Sequence, residues 1–329
     1  MSVRASLLVL VGSVAVAGVL PATAGATTPG LDGRIAFSSQ DDLWSVQPDG
    51  SGLLRITSTP DVEEAQASWS PDGRYVAYRR RPAAGAPFQV YVTDVASGAS
   101  RRVSSSTENE SQPGWSPDGT RIVFRRGERG AARSDVWVMD ADGTDAHALV
   151  TTPDADERYP GFSPDGRRLA FSSDRDGQYE VYVSRADGGS PARLTHDPGY
   201  DSAPSWSPDG RRIAFERGSV LDADATKDVW IMRATGAGQR RLTTTAGVDE
   251  GPSFSPDGRS IAFTSGRDGN YEAYRMRADG TGQTRVIALP TMEESPDWQV
   301  RPKGSGLGAL RDLLDPLFSG IQGLLAPRG

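Results

Sequence analysis

The sequence predicts an all-β fold, a six-bladed β-propeller of four-stranded antiparallel blades, and three observations carry that prediction. An aromatic residue followed by Ser-Pro-Asp-Gly recurs five times, headed by Trp69, Trp115, Phe162, Trp206 and Phe254 at spacings of 46, 47, 44 and 48 residues, a period within the range of propeller blades. An apolar run rich in β-branched and aromatic residues follows every copy, as strands require. The two ends of the chain carry complementary fragments of one more copy.

The chain begins with a segment set apart from the repeats. Arg4 supplies a charged start, Leu7 to Leu20 form an uncharged run of 14 residues, and Ala22-Thr23-Ala24 and Ala24-Gly25-Ala26 are small-residue cleavage sites. Residues 1–26 therefore read as a secretory signal peptide, too short in its apolar core for a bilayer span of about 20 residues. The mature protein is expected to be secreted or held in the cell envelope, with no transmembrane span.

Within each repeat the phrase is a tight turn: Ser bonds nearby backbone, Pro presets φ, and Asp and Gly accept the conformations that follow. It reads as structural punctuation on the far edge of each blade. The second strand comes next, as Tyr75 to Tyr78, Ile122 to Phe124, Leu169 to Phe171, Ile213 to Phe215 and Ile261 to Phe263. A third strand carries an aromatic at a constant place, Tyr91, Trp137, Tyr182, Trp230 and Tyr274, and a fourth ends in pairs such as Arg193-Leu194 before Thr195. All seven Trp residues fall at repeat positions, where packing between blades explains them.

The ends complete the count. Residues 32–57 supply strands two to four without a first, and Glu294 to Val300 supply a first strand, its Trp298 lying 44 residues after Phe254. Pairing of the C-terminal strand with the N-terminal blade closes the ring and leaves no open edge. The propeller is thus placed at 32–300. Residues 301–329 form a short linker and an apolar tail with Leu310, Leu313, Leu314, Leu317, Phe318 and Ile321 at helical steps, expected to dock on the propeller or to mediate self-association or partner binding.

These motifs resemble the TolB-type propeller repeat, a relative of the WD repeat whose signature is an aromatic before Ser-Pro-Asp-Gly and an Ile-Ala-Phe-like strand. The resemblance covers about 270 residues. TolB itself also has an N-terminal α/β domain, and only the signal and a few residues precede the first strand of this chain.

Composition narrows the function. A formal charge of −7 and a pI near 5.1 argue against a nucleic-acid partner, which demands a basic surface. With no cysteine and only His147 and His196, thiolate chemistry, a multi-histidine metal site and a Ser-His-Asp triad lack their parts. Two strings suggest calcium, Asp140 to Asp145 and Asp222 to Asp228. Neither has the Glu that ends an EF-hand loop; the first reads as a turn and the second as a candidate divalent-cation loop, so no cofactor is otherwise expected.

One constellation points to ligand binding. Five residues before each first-strand aromatic stands a carboxylate: Glu64, Glu110, Glu157, Asp201, Asp249 and Glu293. The innermost strands of a propeller line its channel, so these six are expected to face a shared funnel and draw a cation or a basic peptide, or else to bond backbone within their own loops. The resulting expectation is an exported, non-catalytic scaffold for a protein or peptide partner at the acidic mouth or rim. The alternative is a carbohydrate-active lyase or hydrolase using a metal or the channel carboxylates.

Overall fold

The computed structural model describes residues 31–301 apart from 61, 129–132, 220–225 and 290–292. The signal segment, the C-terminal tail and both Asp222 and Asp224 of the second calcium-like string lie outside the described residues. Six four-stranded antiparallel sheets form, with strands in sequence order from the inside outward in blades 2 to 6. The inner strands are Glu63–Trp69, Asn109–Trp115, Glu157–Phe162, Tyr200–Trp206 and Asp249–Phe254. Blade 1 takes its inner strand, Glu294–Arg301, from the other end of the chain and pairs it antiparallel with Leu31–Ser39, Trp298 opposite Ile35 and Asp297 opposite Ala36. Among the described residues no helix is long and apolar enough to cross a membrane.

The core lies in the seams between blades. The second-strand aromatics Phe37, Tyr78, Phe124, Phe171, Phe215 and Phe263 are fully buried, and each cluster joins residues of neighbouring blades, as where Ile231 of blade 5 meets Phe254 and Met276 of blade 6. Burying one such ring stabilises the fold by about 1.5–3 kcal/mol. The tryptophans pack across these seams as expected. Trp298 joins Ala262 and Ala273 of blade 6, and Trp206 joins Ala170 and Val181 of blade 4.

Two local details differ from the sequence reading. The outer strands are only two to four residues long, ending at Arg193 and Arg241 in blades 4 and 5. Leu242 then turns inward to the seam, and the Thr195 and Thr243 hydroxyls accept the Val181 and Val229 N–H groups at 2.9 and 3.0 Å, continuing the ladder with side chains. The Ser-Pro-Asp-Gly turns, moreover, stand at the inner rim. In each, Gly donates to the Ser carbonyl, as Gly73 does at 2.8 Å, while Ser70 Oγ donates to Asp72 and accepts the Tyr75 N–H. A Cβ on Gly258, whose φ is +70°, would come within 3.1 Å of Pro208 in the previous turn. The turns therefore pack against one another around the axis, since they join the two innermost strands of each blade.

Candidate functional site

The six predicted carboxylates open the inner strands, and their backbone stitches adjacent blades. Glu64, Glu110, Glu157, Asp201 and Glu293 each donate N–H to a carbonyl of the preceding blade, at 2.7–2.9 Å. Their side chains, with that of Asp249, are at most 1% exposed. In five blades an arginine from the end of the second strand or the loop after it reaches the acid and lies over the third-strand aromatic. Arg126 contacts Glu110 at 2.6 Å with its guanidinium carbon 3.9 Å from the Trp137 ring centre. Arg217 joins Asp201 and Trp230, Arg267 joins Asp249 and Tyr274, Arg175 joins Glu157 and Tyr182, and Arg80 joins Glu64 and Tyr91. Burial pushes the Glu64, Glu110, Glu157 and Asp201 carboxyls up, with the arginines pulling the other way.

The expected shared funnel is thereby corrected: the six acids sit in separate seams, and none lines the central cavity. A bulge is the cause. Two residues of each inner strand, Gln66 and Ala67 in blade 2, oppose the single Tyr78. A straight strand alternates faces and would put the fifth residue before the aromatic on the opposite face of the blade; one extra residue returns it to the side of the aromatic. Blade 1 keeps the acid and lacks the arginine. Glu293 instead accepts the Leu289 and Ala273 N–H groups at 2.8 and 3.1 Å, and burial pushes its carboxyl up to about 7.

The bulges shape what does face the axis. Gln66, Gln112, Tyr159, Ala203, Gly251 and Ser295 all have φ between +49° and +59°, and side chains from neighbouring blades take several of the N–H groups this frees. Gln66 Oε1 accepts from Gln112, and Gln112 Oε1 accepts from Tyr159, at 3.0 and 2.8 Å. Glu216 and Thr264 do the same for Gly251 and Ser295. These strands and the five turn prolines enclose an axial cavity of about 330 Å³. Asp297 is the one charged residue among those lining it.

Toward the end where the inner strands begin, Glu216 is buried and pushed up in pKa by that burial. Lys227 Nζ lies 2.6 Å from Glu250 and 3.6 Å from Glu216. Beside them the Tyr159 phenol is raised to about 12, chiefly by burial. Asp156 accepts hydrogen bonds from Tyr179, Ser134, Arg125 and Arg158. Both histidines are exposed, and among the described residues no group of acids or histidines could hold a metal ion. The Asp140 to Asp145 string is a turn: Gly143 donates to the Asp140 carbonyl, and Asp142 accepts from Thr144. Sequence reasoning missed the arginines, the bulges and Asp297; the arginine after each second strand and the Pro after most bulges were the available signals.

Comparison with known proteins places this architecture. Residues 198–307 match the TolB beta propeller domain, and residues 131–222 match the Tricorn protease N-terminal beta propeller domain. TolB from Acinetobacter baumannii superposes with a TM-score of 0.71 at 25% identity over 81% of this chain and 66% of its own, so the chain spans just under two thirds of that protein. A putative TolB from Agrobacterium tumefaciens gives 0.64 at 22% over 82% of this chain and 98% of its own. An oligogalacturonate lyase from Vibrio parahaemolyticus shares the fold alone, with a TM-score of 0.54 at 13% identity over 74% of each chain. No curated protein matches the sequence.

Proposed function

Starting from a TolB-type β-propeller repeat protein, we propose that this chain is an exported, non-catalytic scaffold that holds a protein or peptide partner on the propeller axis. The observation that carries the reading is the axial cavity, to which all six inner strands contribute and whose wall mixes aromatic and proline surface with a few polar groups, the usual make-up of a binding site. The reading of residues 1–26 as a secretory signal supports action outside the cytoplasm. The ring acids Glu64, Glu110, Glu157, Asp201, Asp249 and Glu293 serve this surface from within the seams, fixing the mouth that the partner meets.

The test uses Gly161, where an added Cβ would meet nothing within 4 Å. Gly161→Trp fills the cavity without disturbing the backbone. Capture of envelope proteins by the wild-type secreted chain and its loss in Gly161→Trp is the expected result; equal capture by a folded variant defeats the reading.

A further inference from the structure

The closing strand introduces an irregularity into the channel. Just before the first-strand aromatic, five blades have Ser68, Gly114, Gly161, Ser205 and Ser253, and blade 1 has Asp297. Its Oδ2 accepts the Trp69 N–H at 2.8 Å, and its Oδ1 accepts the Ser253 hydroxyl at 3.0 Å. A carboxylate accepts about four such bonds, so capacity is left. No ion pair forms to Asp297 among the described residues, although 17 arginines and a lysine pair with carboxylates elsewhere. The contrast decides the matter. Five of the six seam carboxylates carry an arginine with them and the sixth, Glu293, is held by two backbone N–H groups, whereas the channel carboxylate has no arginine among these contacts.

Burial holds the Asp297 carboxyl up to about 6, so it is charged at neutral pH in surroundings of low polarity. A cation brought to it gains from that environment. The six first-strand aromatics, five of which head Ser-Pro-Asp-Gly turns, also contribute to the cavity lining, and aromatic rings attract cations further.

Resting on the channel reading above, we propose that the group received is a cation, a lysine or arginine side chain or a terminal ammonium of the partner, with Asp297 as its counter-charge. The probes are N-acetyl-arginine amide and N-acetyl-lysine amide, with N-acetyl-norleucine amide as the uncharged match, titrated into the full secreted chain and followed by calorimetry and by tryptophan fluorescence. The cationic probes are expected to bind at least about tenfold more tightly than the neutral one, as the gain of a desolvated charge partner implies. Asp297→Asn keeps an acceptor for the Trp69 N–H and is expected to erase the preference while its melting curve shows a folded propeller. Lowering the pH from 7.5 to 5 should weaken the cationic probes alone. Equal binding of all three probes, no binding of any, or a preference that survives in Asp297→Asn overturns the inference. If all three bind equally and Gly161→Trp excludes them, the channel reading stands and only the cation falls.

Discussion

Replacing Arg126 by Met separates the ring's structural role from its charge. The guanidinium donates twice to Glu110 Oε1, at 2.9 and 2.6 Å, and covers the Trp137 ring. The side chains are 11% and 0% exposed, so solvent does little to screen the pair. Met keeps much of the volume and leaves the carboxylate buried without its partner, a change that costs about 3–5 kcal/mol. At roughly 2 °C per kcal/mol for a domain of this size, thermal unfolding followed by circular dichroism at pH 7.5 should fall by about 6–10 °C. The penalty requires a charged carboxyl, and Glu110 already has a raised pKa. It should therefore shrink as the pH is lowered toward the ordinary Glu value. Glu110→Gln with Arg126→Met removes both charges and should recover most of the loss. A single variant that melts within 1 °C of wild type, or a double variant no better than the single, would refute the reasoning.

Blade 1 offers a second titration. The folded-state pKa of Glu293, about 7, stands above the usual 4.5, so the folded chain binds more protons across that window. Its contribution is fully present below pH 4.5 and lost as the pH rises through about 7. Amide exchange of Glu294–Arg301 should accelerate over that range, and Glu293→Gln should flatten the response. Gly188 has φ +80° and its Cβ would stand 1.9 Å from the Leu149 carbonyl of the previous blade, whereas Gly177, at φ +102°, faces open space. Gly188→Ala should cost at least twice the roughly 1–2 kcal/mol of strain expected for Gly177→Ala, read from urea midpoints. Protein purified without chelators should contain no stoichiometric metal by emission spectroscopy, and added calcium should leave its melting temperature unchanged.

The blade count was legible because one turn phrase and one apolar strand repeat at a fixed period, and because Trp298 and Ile35 sit in fragments that fit each other. The ring of acids was legible as a ring, but its direction was not. That direction depends on a bulge whose left-handed residue is Gln, Tyr, Ala, Gly or Ser in different blades, so only the proline after it in five blades marks it, and an extra residue overlooked reverses the face of everything before it. The arginine partners were hidden by their variable offset: Arg126 and Arg217 stand two residues after the core aromatic, Arg175 and Arg267 four. Asp297 stood in plain view within a motif shared by six blades. Its meaning came only with the cavity.

Site-specific photocrosslinking tests the axial binding surface most directly. A benzoylphenylalanine placed at Gln112, in the cavity wall, should crosslink the captured partner, and the same group at the exposed outer-strand position His147 should not. Crosslinking from His147 with none from Gln112 would put the partner on the outer rim and contradict the account.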